Sequence, residues 1–156
     1  MELAFRLARR DDLPALLALL ADDVLGRGRE APAAALLPDY LAAFEAIASD
    51  PNNELLVAEA DARVIGMLQL TYIPGLSRGG SWRALVEAVR ISGDMRGHGA
   101  GTQLMQHAIA RARERGCRLV QLTTDKQRQD AHRFYLRLGF VASHEGMKLP
   151  LPQGPV

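Results

Sequence analysis

The run Arg96-Gly97-His98-Gly99-Ala100-Gly101-Thr102 restricts this chain more than any other stretch of it. Before it lies an apolar, strand-like segment, Arg83 to Ile91. After it a helix is predicted from Thr102 to Arg115, with Leu104, Met105, Ala108, Ile109 and Ala112 on one face and Gly116 at its end. Alternating glycines let a backbone come close to a ligand and turn successive N–H groups toward it. A helix N-terminus behind them adds free donors and the positive end of the helix dipole. That assembly suits a diphosphate; the bland alternative is a flexible turn between strand and helix.

Three phosphate-binding patterns compete for this loop. A Walker loop ends in Gly-Lys-Ser/Thr, and no Lys stands here. A dinucleotide fingerprint starting at Gly97 needs glycine where Thr102 stands, although Asp125 follows the next strand, where a ribose-binding acid belongs. Too little chain follows Asp125 for the rest of such a fold. The third pattern, R-x-x-G-x-G/A, is met in full by Arg96, Gly99 and Gly101.

The remaining elements read as one mixed α/β domain over 1–149 with a Pro-rich, frayed tail at 150–156. Leu3, Phe5 and Leu7 alternate as a short strand. Asp11, Asp12 and Pro14 open a helix running to about Leu25, and a second helix covers Ala33 to Ser49. Leu55 to Glu59 and Arg63 to Tyr72 form a hairpin about Asp61-Ala62. Leu119 to Thr124 is a further strand. Asp130 caps a short helix whose Ala131, Phe134, Tyr135 and Leu138 recur at helical spacing, and Phe140 to Ala142 and Met147 to Leu149 are strand-like.

Composition removes several classes of function. The chain has 156 residues, enough for one core without covalent staples. Its 19 basic and 18 acidic side chains leave a charge of +1, so no global field draws it to nucleic acid. No apolar run approaches a membrane span, and no signal-like segment opens the sequence, so a cytoplasmic protein is expected. Cys117 is the one cysteine, and no two of the four His have zinc spacing, so neither a disulfide nor a metal is expected.

The stretch from Glu87 to Phe140, about a third of the chain, resembles the GNAT superfamily of N-acetyltransferases. The resemblance rests on the Arg96 to Thr102 loop together with Ala131-His-Arg-Phe-Tyr135-Leu-Arg-Leu-Gly139-Phe140, which is similar to the family's A-x-x-F-Y-x-x-x-G-F signature. It implies an α/β (α+β) fold with a central, mostly antiparallel mixed sheet flanked by helices, whose fourth and fifth strands splay apart around acetyl-CoA. Backbone groups of Val89, Arg90 and Ile91 are then expected to pair with the pantetheine arm. The segment Arg96, Gly97, His98, Gly99, Ala100, Gly101 and Thr102 is expected to hold the pyrophosphate. Where many members carry Asn seven residues before the motif Tyr, this chain has Arg128, whose guanidinium suits a phosphate.

Acyl transfer to an amine requires a neutral amine and a proton for the departing thiolate. The resemblance gives the second task to Tyr135, which by spacing alone, on one face with Phe134 and Leu138, reads as a core residue. Glu87 is the candidate base. Strand alternation sets it in a row with Leu85, Val89 and Ile91, where burial raises a carboxyl pKa, whereas a bulge turns it to solvent. The sequence around it, V-E-A-V-R-I, resembles the glucosamine-6-phosphate acetyltransferase type. His98 is expected to contribute its backbone only, and His107 and His132 to face solvent.

By the same resemblance the acceptor enters near Leu25 to Pro38 and Tyr72 to Arg83. There Arg27, Arg29, Arg78 and Arg83 favour an anionic acceptor, and Asp22, Asp23 and Glu30 a cationic one. A small-molecule amine is the expected partner, and a homodimer is common in the family. Two other functions compete: a non-catalytic acyl-CoA-binding sensor, and a dinucleotide-binding protein.

Overall fold

The computed structural model describes residues 2–22 and 33–152, and it leaves aside the side chains of 33–36. The expected last turn of the first helix and the loop bearing Asp23, Arg27, Arg29 and Glu30 lie outside those residues. The chain forms two compact units, Met1–Leu122 and Thr123–Val156.

The first unit is built on five strands: β1 (Ala4–Leu7), β2 (Asn53–Ala60), β3 (Arg63–Pro74), β4 (Trp82–Ile91) and β5 (Leu119–Gln121). They lie in the sheet in chain order. The pairings β1–β2, β2–β3 and β3–β4 are antiparallel and β4–β5 is parallel, which is the mixed, mostly antiparallel sheet expected. Asp61 and Ala62 both take positive φ, 50° and 59°, so a two-residue turn of the twist that hairpins favour joins β2 to β3.

Helix α1 (Leu13–Ala21) and helix α3 (Ala100–Glu114) cover opposite faces of the sheet, with α2 (Ala33–Ser49) between them in sequence. Leu16 and Leu19 of α1 pack on Val57 and Met67, which are paired across β2 and β3. On the other face Leu56, Ala58, Leu68 and Leu70 are buried, as are Leu104, Met105, Ala108 and Ala112 of α3. Each such aliphatic side chain contributes about 2 kcal/mol by leaving water. Asp12 holds the start of α1: its carboxylate accepts from Arg6 at 2.7 and 2.9 Å and from the Arg9 amide at 2.6 Å.

Glu54 is the one buried charged residue among the described residues. It faces α3, where Arg111 Nε and Nη2 donate to its two oxygens at 2.5 and 2.6 Å and the Tyr72 hydroxyl donates at 3.0 Å. His107 of α3 stacks on Phe5 of β1 at 4.7 Å, nearly parallel, so the expectation that it faces solvent is corrected. Phe5 is the cause, because an aromatic partner on the sheet turns a mid-helix imidazole inward.

In the second unit α4 (Gln129–Arg137) half-buries Ala131, Phe134, Tyr135 and Leu138, the face that the spacing predicts. Arg128, not Asp130, takes the N-cap position. Asp130 lies in the first turn and pairs with Arg133 instead, while the Asp125 carboxylate accepts the Gln127 amide at 2.9 Å to form the entering turn. Phe140 to Ala142 and Met147 to Leu149 are not strands, and Val141, Met147 and Leu149 are at least 80% exposed. A strand needs a hydrogen-bonded neighbour, and alternating apolar residues alone do not supply one.

Candidate functional site

Two positive-φ glycines shape the loop ahead of α3. Gly97 has φ 78° and Gly99 φ 82°, and Gly99 occupies the N-cap position of the helix. A Cβ at either position would meet nothing within 4 Å, so both glycines face open space and the constraint on them is conformational. No side chain caps the helix, so its first amides stay available to a ligand. His98 turns its ring back on the loop, with Nδ1 at 2.9 Å from the Arg96 carbonyl oxygen. The structure thus brings Gly97 to Thr102 together around the open start of α3.

Arg96 is used differently. Its Nε donates to the Ile91 carbonyl at 3.2 Å and its Nη2 to the Asp22 carbonyl at 2.9 Å, with the Asp22 carboxylate at 3.6 Å. The guanidinium braces the loop against the end of β4 and the end of α1. Asp22, expected on the acceptor side, is its partner.

Beside this loop β4 has an open edge. It pairs with β5 only from Arg83 to Leu85, because β5 ends at Gln121, short of the expected Thr124. From Val86 to Ile91 that edge has no strand neighbour among the described residues, which is the expected parting of the fourth and fifth strands. Val89, Arg90 and Ile91 lie there, and the Val89 carbonyl accepts from Arg90 Nη1 at 2.9 Å.

A bulge changes which way these side chains point. Gln69 pairs with Glu87 and Met67 with Arg90, so two residues on β3 advance the register while three on β4 do, and Ala88 takes φ 53°. Strict alternation is therefore wrong past Glu87. Leu85 and Glu87 share the α1 face of the sheet, but Ile91 lies on the face of Gly66. A Cβ on Gly66 would stand 2.7 Å from Ile91 Cδ1 and 3.2 Å from the Arg90 carbonyl. Glu87 is exposed rather than buried in an apolar row.

Glu87 also has polar neighbours that no motif announces. Gln69 is its cross-strand partner, and Thr71 and Asn53 follow on the same face. Gln69 Nε2 and Thr71 Oγ1 both donate to Asn53 Oδ1, at 3.2 and 2.8 Å. The signal was present in β3, where Gln69 and Thr71 alternate with buried Leu68, Leu70 and Tyr72. Arg83 points elsewhere, its Nη1 lying 3.6 Å from where a Gly75 Cβ would stand, and Arg78 is exposed in the adjoining turn.

In the second unit Tyr135 packs edge-on against Phe134 and Phe140, with ring centroids 5.1 and 5.8 Å away. The Phe140 amide donates to the Tyr135 carbonyl at 3.1 Å, which fastens the segment that follows α4. Burial pushes the Cys117 thiol up, so it stays protonated and is a poor nucleophile.

Residues 15–140 match the model of the acetyltransferase (GNAT) family. Over 101 residues the chain is 37% identical to an aminoalkylphosphonate N-acetyltransferase of Salmonella typhimurium, a match spanning 65% of each chain. A solved transcriptional regulator of Bacillus halodurans superposes with TM-score 0.93 at 52% identity, covering 96% of this chain and 100% of that one. A putative acetyltransferase of Agrobacterium tumefaciens gives 0.81 at 28% identity, over 95% and 99%.

Proposed function

The chain belongs to the GNAT acetyltransferase family, and from that premise we propose that it moves acetyl from acetyl-CoA to the primary amine of a small molecule by direct attack in a ternary complex. The observation that carries this reading is the open, left-handed glycine loop at the uncapped start of α3, set beside the unpaired edge of β4. The loop amides take the pyrophosphate, and the β4 edge takes the amides of the pantetheine arm.

In the reaction the amine nitrogen bonds to the thioester carbonyl carbon, and the C–S bond breaks with its electron pair leaving on sulfur. Glu87, exposed to solvent, takes the amine proton directly or through a water. Tyr135 supplies the proton to the thiolate, a role that rests on the family motif. A phenol near pKa 10 donating to a thiolate whose acid lies near 8.5 runs uphill by about 2 kcal/mol. The step therefore needs coupling to the proton released by the amine. Arg128 adds a guanidinium for a phosphate of the cofactor.

The test is calorimetric titration with acetyl-CoA, with NADH as control, followed by CoA release over a panel of primary amines that includes 2-aminoethylphosphonate. Micromolar binding of acetyl-CoA alone, with turnover of at least one amine, is expected. Absence of acetyl-CoA binding overturns the reading. Likeness to the transcriptional regulator of Bacillus halodurans favours a second reading, a regulatory acyl-CoA-binding module. Tyr135→Phe separates the two: in an enzyme it lowers turnover at least tenfold and leaves acetyl-CoA affinity unchanged. The single cysteine and the donor both suit a reducing, cytoplasmic setting.

A further inference from the structure

We propose that Glu87, Gln69 and Thr71 form the seat of the acceptor's ammonium group, and that Asp50 and Asn53 fix the polarity of that seat. The proposal rests on the acetyl-transfer reading above.

The argument starts from a group with no choice. The Asp50 carboxylate accepts the Asn52 amide at 2.8 Å and Asn53 Nδ2 at 2.8 Å. Those bonds hold it below the usual carboxylate range, so it is an acceptor only. The NH2 end of Asn53 must therefore face Asp50, and its carbonyl oxygen must face β3.

That oxygen in turn dictates the next two groups. An acceptor facing Gln69 and Thr71 requires each of them to present a donor to it, Gln69 through Nε2 and Thr71 through its single hydroxyl hydrogen. The Gln69 carbonyl oxygen is thereby turned the other way, and Thr71 has only lone pairs left. Beside them stands Glu87, opposite Gln69 in register and therefore within about 5 Å at Cβ.

The outcome is three acceptors on one face of the sheet: the exposed carboxylate of Glu87 and, half-buried beside it, an amide carbonyl and a hydroxyl oxygen. A primary ammonium brings three N–H donors and one positive charge, which matches that set in number and in charge. A hydroxyl in its place brings one donor and no charge, so the patch selects amine over alcohol. The relay also places the ammonium against Glu87, the one member of the set that can accept its proton.

The experiment titrates CoA-loaded protein with 2-aminoethylphosphonate and, separately, with 2-hydroxyethylphosphonate. Wild type is expected to bind the amine at least tenfold more tightly than the alcohol. Gln69→Met and Thr71→Val are each expected to reduce that preference at least threefold, while acetyl-CoA affinity stays within twofold. A wild type that does not distinguish the two ligands, or variants that keep the full preference, overturns the proposal. Should a variant fail to fold, the wild-type comparison still decides. Intact amine preference without acetyl-CoA binding would instead remove the acetyl-transfer reading and leave an amine site.

Discussion

Asn53 and Glu54 are adjacent on β2, and their side chains leave the sheet on opposite faces. Under α3, Glu54 is 8% exposed and surrounded by donors: Arg111 twice, the Tyr72 hydroxyl, and Arg115 at 3.8 Å. The Arg115 guanidinium itself lies 4.0 Å over the Tyr72 ring. Burial drives the Glu54 pKa up, but the bonds from Arg111 and Tyr72 outweigh it and hold the carboxyl below its ordinary range. The same burial, with the bond to Glu54, pushes the Tyr72 phenol up to about 12. On the other face Asn53 takes one hydrogen bond from each of Gln69 and Thr71. A polar cluster that satisfies itself rigidifies the fold, and the second cluster, on the proposal above, is completed by a ligand.

The largest effect that this contrast predicts is on stability. Glu54→Ala leaves Arg111 beside a buried face without a counter-charge and is expected to cost about 3 kcal/mol in urea unfolding, while the acetyl-CoA affinity of the folded fraction is retained. Asn53→Ala removes a neutral hub and is expected to cost about 1 kcal/mol. It should nevertheless weaken 2-aminoethylphosphonate binding more than Glu54→Ala does. Equal effects of the two substitutions on amine binding would dissolve the distinction between the faces.

Acid titration sharpens the same point. The folded pKa of Glu54 lies below its unfolded value near 4.3, so its stabilisation is complete above that pH and is lost as pH falls through the folded pKa. Wild type should lose stability below about pH 4.3 along a limb that is shallower in Glu54→Gln. His107 gives a smaller effect in another window. Burial first, and then Arg111, lower its imidazole pKa, so its contribution is complete above about pH 6.5 and declines as pH falls below that. His107→Phe keeps the ring against Phe5 and should flatten the stability profile below about pH 6.5, by less than Glu54→Gln does at its own limb.

Much of the fold was legible in the chain. Periodicity located β1 to β4 and the apolar faces of α3 and α4, and the Asp61-Ala62 turn marked the hairpin. The conformation of the glycine loop was legible too, because a requirement for positive φ is local and is written in residue type. Alternation gave Glu87 its face beside Leu85 but misplaced Ile91, since one extra residue in β4 reverses the side chains beyond Glu87. Strand-like residues near the end misled for the opposite reason: apolar alternation is local, whereas a strand is made by its neighbour.

The sequence by itself determined most of the helices and strands up to α4, and it singled out the glycine loop and acetyl-CoA as the donor to test. Those are properties of contiguous residues, governed by backbone conformation and hydrophobic period. Only the tertiary structure decided that Arg96 braces α1, that His107 stacks on Phe5, that Glu54 is sealed under α3 and that Gln69, Thr71 and Glu87 share one face of the sheet. Each of these depends on the register between strands distant in sequence. A hydrogen-bond donor or acceptor has no assigned direction until its partner is in place.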